Sequence, residues 1–163
     1  MRKFEKISFN QFIKDIKDDE KLYNSYGVPV RKTKNSAGYD FEAIEDLKLK
    51  AGECKRIPLG IKVKMEEDEF LQIVVRSSMG FKYNVRMTNQ VGIADADYYN
   101  NESNEGHIFI SLQNHEEKDF ELKKGEGICQ GIFLKYLKVE DDNVEEIRIG
   151  GYGSTTKGED KHE

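Results

Sequence analysis

The chain has 163 residues, a formal net charge of -5, and 37% hydrophobic against 35% charged residues. That length supplies one sizeable core, and the composition leaves little apolar material for a second, so a single domain is expected. The net negative charge excludes general binding to nucleic acid, whose phosphates would repel it, but leaves room for a small phosphorylated ligand held by a local cluster of donors.

The N-terminus, Met1-Arg-Lys-Phe-Glu, is too charged for a secretory signal, and no run approaches the ~20 apolar residues of a membrane span. Residues 8–18 place Phe9, Phe12, Ile13 and Ile16 at helical spacing, with Ser8 or Asn10 available as a cap. The spacing predicts a short amphipathic helix docked on the main body, within an N-terminal extension over 1–25. It carries no recognisable chemistry.

From residue 39 the hydrophobic period becomes two. Ile61, Val63 and Met65 alternate with lysines; Leu71, Ile73 and Val75 form a second set, Ile108, Ile110 and Leu112 a third. Ile128, Gln130, Ile132, Leu134 and Tyr136 make a longer one. Gly-containing turns at 50–53, 123–127 and 99–106 punctuate them. Short strands with regular turns predict an all-β antiparallel fold, a jelly roll or distorted barrel, over residues 26–140. Cys54 and Cys129 form no CxxC pair, so reduced thiols in a cytoplasmic protein are expected rather than a zinc site or disulfide. The last segment, 141–163, begins with an acidic connector and continues into Arg148-Ile-Gly-Gly-Tyr-Gly-Ser-Thr-Thr-Lys157. It reads either as a frayed terminus or as a flexible flap.

Several of these segments carry side chains suited to a phosphorylated ligand. Arg76-Ser-Ser-Met-Gly80 follows an apolar strand and can open a short helix, where N–H groups, two hydroxyls and a guanidinium would cradle phosphate oxygens. A capping serine beside an exposed arginine is the plainer reading. Gln130 interrupts an apolar strand, so its amide needs partners; it is either a satisfied core glutamine or a ligand contact. The run Asn89-Gln-Val-Gly-Ile-Ala-Asp-Ala-Asp-Tyr98 joins an amide, a glycine, two carboxylates and an aromatic ring in a predicted hairpin. Alone it would be an acidic turn.

Together, five segments resemble the motifs of the trimeric dUTP diphosphatase (dUTPase) family, in that family's order. They are Ala37-Gly-Tyr-Asp-Phe-Glu-Ala43, Arg76-Ser-Ser-Met-Gly80, the run 89–98, Gly125-Glu-Gly-Ile-Cys-Gln130 and Gly150-Gly-Tyr-Gly-Ser-Thr155. The resemblance covers residues 26–158. It implies a homotrimer that hydrolyses dUTP to dUMP and pyrophosphate, limiting uracil in DNA and supplying dUMP for dTMP synthesis. Asp95 matches the catalytic aspartate that activates a water for attack on the α-phosphorus. Tyr98 matches the ring that packs on the deoxyribose and excludes a 2′-hydroxyl. Asn89, Gly92 and Ile93 match the uracil-reading edge. Arg76, Ser77, Ser78 and Gln130 match the phosphate contacts. Arg148 would reach the phosphates, and Tyr152, with Gly153 and Ser154 beside it, would stack on the uracil as the flap closes over a site shared between chains. Asp97 is expected to hold the turn and Asp40 to organise a metal or arginine network. Mg²⁺ is implied as cofactor, carried mainly by phosphate oxygens and water, with no direct protein ligand. Two departures stand out: Ala94 where a larger aliphatic is usual, and Thr156 in place of a glycine. A dUTP-binding regulatory or interaction protein, and more remotely a dCTP deaminase relative, are the alternatives.

Overall fold

A computed structural model describes residues 1–146, 148, 150 and 151. Strand β1 (Lys3–Lys6) leads into helix α1 (Phe9–Asp15) and helix α2 (Glu20–Ser25). Ser8 caps α1 by accepting from the Gln11 N–H, as the spacing predicts, and Asp19 caps α2 in the same way through Leu22. The core face of α1 differs from the expected one: Gln11 and Phe12 are buried, while Ile13 faces outward. Gln11 tolerates burial because its amide donates to Asp15 Oδ2 at 2.8 Å within the same helix. Ile7, Phe12, Leu22 and Ile44 form a small core under these two helices.

Most of the remaining described residues form antiparallel β-structure, interrupted by one short helix and one 3₁₀ turn, the all-β architecture expected. A four-stranded sheet has the order β2 (Tyr39–Glu42), β11 (Gly127–Lys135), β6 (Glu69–Val75), β8 (Gly92–Asp95). A three-stranded sheet has the order β4 (Cys54–Pro58), β9 (Phe109–Asn114), β7 (Val85–Met87). Two further pairs join β1 to β5 (Ile61–Lys64) and β10 (Phe120–Leu122) to β3 (Leu47–Leu49). The inward residues of the three short alternating sets, from Ile61 through Leu112, enter one large core with Phe41, Leu49 and Met79; Val75 packs at its margin.

The longest alternating set behaves differently. A register shift in the pairing of β11 with β2, between Gly127 and Cys129, reverses the faces of β11 after Ile128. Cys129 and Gly131 therefore point inward, and Gln130, Ile132 and Leu134 point outward. Gln130 is accordingly no core amide. Cys54 and Cys129 are free thiols; burial pushes the Cys129 thiol pKa well up. Among the described residues, no helix is long and apolar enough to cross a membrane.

Candidate active site

The acidic run sits where the two larger sheets meet. It was expected to form a hairpin, but its flanking strands do not pair with each other. Strand β7 pairs with β9, whereas β8 pairs with β6 in the other sheet. The intervening corner, 88–91, is closed by the Gln90 N–H donating to Met87 O at 2.9 Å, with Gln90 at φ +62°. A sheet-to-sheet corner opens a gap between layers, which a hairpin within one sheet would not. That gap is a cleft of about 650 Å³ lined by Asn89, Gly92, Ile93, Asp95, Tyr98 and Arg148, among others.

Within the cleft, alternation along β8 buries Gly92 and Ala94 and exposes Ile93 and Asp95. Ala94 packs in the main core. A one-turn 3₁₀ helix, Ala96–Tyr98, then turns the Tyr98 side chain inward, leaving it 6% exposed. The Tyr98 hydroxyl donates to His107 O at 3.0 Å and accepts from Asn104 Nδ2 at 2.8 Å, so the ring is held at its polar end. Arg148 forks across the two aspartates: its Nη2 donates to Asp95 Oδ2 at 2.7 Å and its Nε to Asp97 Oδ1 at 2.9 Å. Its guanidinium carbon lies 5.9 Å from the Tyr98 ring centroid. Arg148, expected near phosphates, is thus seated on the carboxylates of its own chain.

A second depression, about 320 Å³, gathers Gly38, Asp40, Arg76, Ser77, Ser78 and Gln130, with Lys32 and Ser36 at its rim. Helix α3 (Ser77–Tyr83) opens after the apolar strand, as expected, but its N-cap is Arg76 rather than a serine and makes no side-chain capping bond; the Arg76 Nε lies 3.4 Å from Asp40 Oδ1. Asp40 is buried and faces the half-exposed guanidinium as its ion-pair partner. Two glycines make this arrangement possible by close approach. A Cβ on Gly127 would come within 2.7 Å of Arg76 Cδ, and one on Gly38 would come 3.0 Å from Gln130 Cδ. Both belong to the motif segments read in the sequence.

The two depressions share no lining residue. Asp95 pairs with Phe70 and Gln130 with Val74, on opposite sides of β6. Four residues along a strand and two strand spacings across separate them by about 16 Å. Tyr152, Gly153, Ser154 and Thr156 lie outside the described residues. Arg56, Ser103, Asn104 and Ser111 also line the larger cleft, although none belongs to the motif segments. Only the position of Ser103 and Asn104 beside the acidic run could have signalled them. Among the described residues, no group of three or more His, Cys, Asp or Glu is arranged to hold a metal ion.

The dUTPase family model matches residues 24–156. The deoxyuridine 5′-triphosphate nucleotidohydrolase of Lactococcus lactis subsp. lactis is 44% identical over 130 residues, 78% of this chain and 87% of that protein. The crystal structure of a dUTPase from Streptococcus mutans superimposes with a TM-score of 0.68 at 36% identity, covering 84% of this chain and 98% of the other. A mutant dUTPase from phage phi11 of S. aureus, whose structure reveals the coordination of a structural Mg(II) ion, shares the fold at 17% identity and a TM-score of 0.66, covering 90% of this chain and 98% of its own. This chain belongs to the dUTPase family.

Proposed function

We propose that the chain hydrolyses dUTP to dUMP and pyrophosphate, with Asp95 as general base and the two depressions as complementary halves of a site. The observation that carries this reading is the cleft at the sheet corner, which sets an exposed carboxylate one 3₁₀ turn from a fixed aromatic ring. Asp95 takes a proton from water as the oxygen forms its bond to the α-phosphorus. The bond from the α-phosphorus to the bridging oxygen breaks, and pyrophosphate leaves with the electron pair. Tyr98 packs against the deoxyribose, and because its hydroxyl is tied to His107 and Asn104, the ring has little freedom to admit a 2′-hydroxyl. Asn89, with the backbone at Gly92 and Ile93, reads the uracil edge along the wall of the same cleft.

Arg76, Ser77, Ser78 and Gln130 hold phosphate oxygens in the second depression. Its donors suit an anionic triphosphate. A bound Mg²⁺ would neutralise triphosphate charge, carried mainly by phosphate oxygens and water as the resemblance implies. Asp40 acts through Arg76. The separation of the two depressions on one chain supports a homotrimer in which one copy's Asp95 faces another's Arg76. Arg148, seated on the carboxylates of the cleft, brings the C-terminal segment to this site, and the resemblance assigns contact with the uracil to Tyr152, Gly153 and Ser154, which lie outside the described residues. A cytoplasmic location accompanies this reading.

The direct test is incubation of the purified protein with dUTP and Mg²⁺, following dUMP and pyrophosphate. Stoichiometric formation of both supports the reading. Tight dUTP binding without pyrophosphate release would favour a regulatory protein instead, and ammonia release from dCTP a deaminase.

A further inference from the structure

Residues 1–23 precede the span that matches the family model, yet they grip a single loop at three points. The Tyr99 hydroxyl donates to Glu5 Oε2 at 2.6 Å. Glu105 accepts from the Ser8 N–H at 3.0 Å and from its hydroxyl, and Ser8 is the residue that caps α1. His107 Nδ1 lies 2.6 Å from Asp15 Oδ2, at the C-terminal end of the same helix. The partners on the loop span residues 99 to 107, immediately after Tyr98.

His107 is the inner end of this grip. Its side chain is fully buried, and the Gly60 N–H donates to Nε2 at 2.9 Å. The Nδ1 atom therefore carries the proton and donates to Asp15. The carbonyl of the same residue accepts the Tyr98 hydroxyl. Inside the loop, Asn101 Nδ2 donates to Tyr98 O at 2.9 Å, and Asn104 donates to the Tyr98 hydroxyl. The orientation of Tyr98 is thus fixed by the loop, and the loop is held by the N-terminal segment together with Lys62, whose Nζ donates to Asn100 Oδ1 at 2.7 Å and to Glu105 Oε2 at 3.2 Å. Each exposed contact contributes little by itself. Spread along the loop and anchored at a buried ring, together they restrict where it can move.

We propose that the N-terminal segment is a positioning clamp for Tyr98, with Ser8 and Asp15 as positioning residues, and that it thereby sharpens selection of 2′-deoxy over 2′-hydroxy nucleotides. The inference rests on the reading of Tyr98 as the sugar gate.

The test compares the double variant Ser8→Ala/Asp15→Ala and the single variant Tyr99→Phe with Lys17→Ala, which breaks an ion pair to Glu45 without touching the loop. Two quantities are read in protein shown to be folded by thermal melting: the ratio of kcat/KM for dUTP to that for UTP, and amide hydrogen exchange over 98–107. The clamp predicts that the ratio falls about tenfold in the double variant, as loss of positioning does. It predicts a smaller fall in Tyr99→Phe, none in Lys17→Ala, and faster exchange over 98–107 in the first two. An unchanged ratio in the folded double variant, or an equal fall in Lys17→Ala, would overturn it. Should the double variant not fold, Tyr99→Phe carries the test by the same criteria. Wild-type protein that leaves dUTP intact defeats the reading of the site instead; unchanged exchange over 98–107 then defeats the clamp separately.

Discussion

The Arg148 guanidinium bridges Asp95 and Asp97 at 2.7 and 2.9 Å, so the base of the C-terminal segment is fastened to the carboxylate assigned as general base. A planar fork with two separated N–H directions suits two carboxylates one residue apart, and an ammonium does not. Arg148→Ala is expected to lower kcat/KM for dUTP by about ten- to a hundredfold, the range for hydrogen bonds to charged groups. Arg148→Lys should recover little of it. Steady-state kinetics on both variants decide the matter, and full activity in the lysine variant would show that the fork is immaterial.

The two aspartates of that fork should separate cleanly. Asp95→Asn is expected to lose at least about a hundredfold in kcat, as removal of a general base does. Asp97→Asn, which keeps the shape of the turn and loses one contact to Arg148, should lose less than about tenfold. Equal losses would mean that charge near the cleft matters, not proton transfer at Asp95.

The close approaches at Gly38 and Gly127 give a test of the phosphate half that leaves every donor in place. An added methyl at Gly38 displaces the Gln130 amide, and one at Gly127 displaces the Arg76 stem. Both clashes are with side chains, so the fold should hold. We expect Gly38→Ala and Gly127→Ala to raise KM for dUTP by about tenfold with near-normal melting temperatures. Unchanged KM in both would remove this depression from substrate binding.

These relations divide by how local they are. The Ser8 cap, the helix opening at Arg76 and the inward alternation of Ile61, Val63, Ile108 and Ile110 depend on neighbours a few residues away, and all were legible in the chain. The bulge that turns Gln130 outward depends on how β11 meets β2, and no periodicity within β11 announces it. The corner at 88–91 has the sequence pattern of a hairpin, because two strands flanking a turn look the same whether or not they pair with each other. The grip of Glu5, Ser8 and Asp15 on a loop about ninety residues distant has no local signature at all.

Burial lowers the His107 pKa below its ordinary value of 6.5, while Asp15 and Glu105 oppose that shift and Arg56 assists it. A depressed histidine is neutral in the folded state, so the unfolded chain takes up the proton first as pH falls. Its contribution to stability is fully present above pH 6.5 and is lost progressively as pH falls toward the folded value. Denaturant midpoints should therefore decline below that pH, before carboxylate titration sets in, and NMR should show His107 titrating below the ordinary histidine range. A flat midpoint from pH 7 to 5, with His107 titrating normally, would contradict this.

In the proposed site, Asp95 and Arg76 serve one dUTP from different copies of the chain. Co-assembly of equal amounts of Asp95→Asn and Arg76→Ala subunits, each first shown to be inactive alone, decides this through pyrophosphate release from dUTP. Random assembly of a site shared between copies restores about a quarter of the wild-type rate. A site contained within one chain restores nothing, and that result would contradict the account.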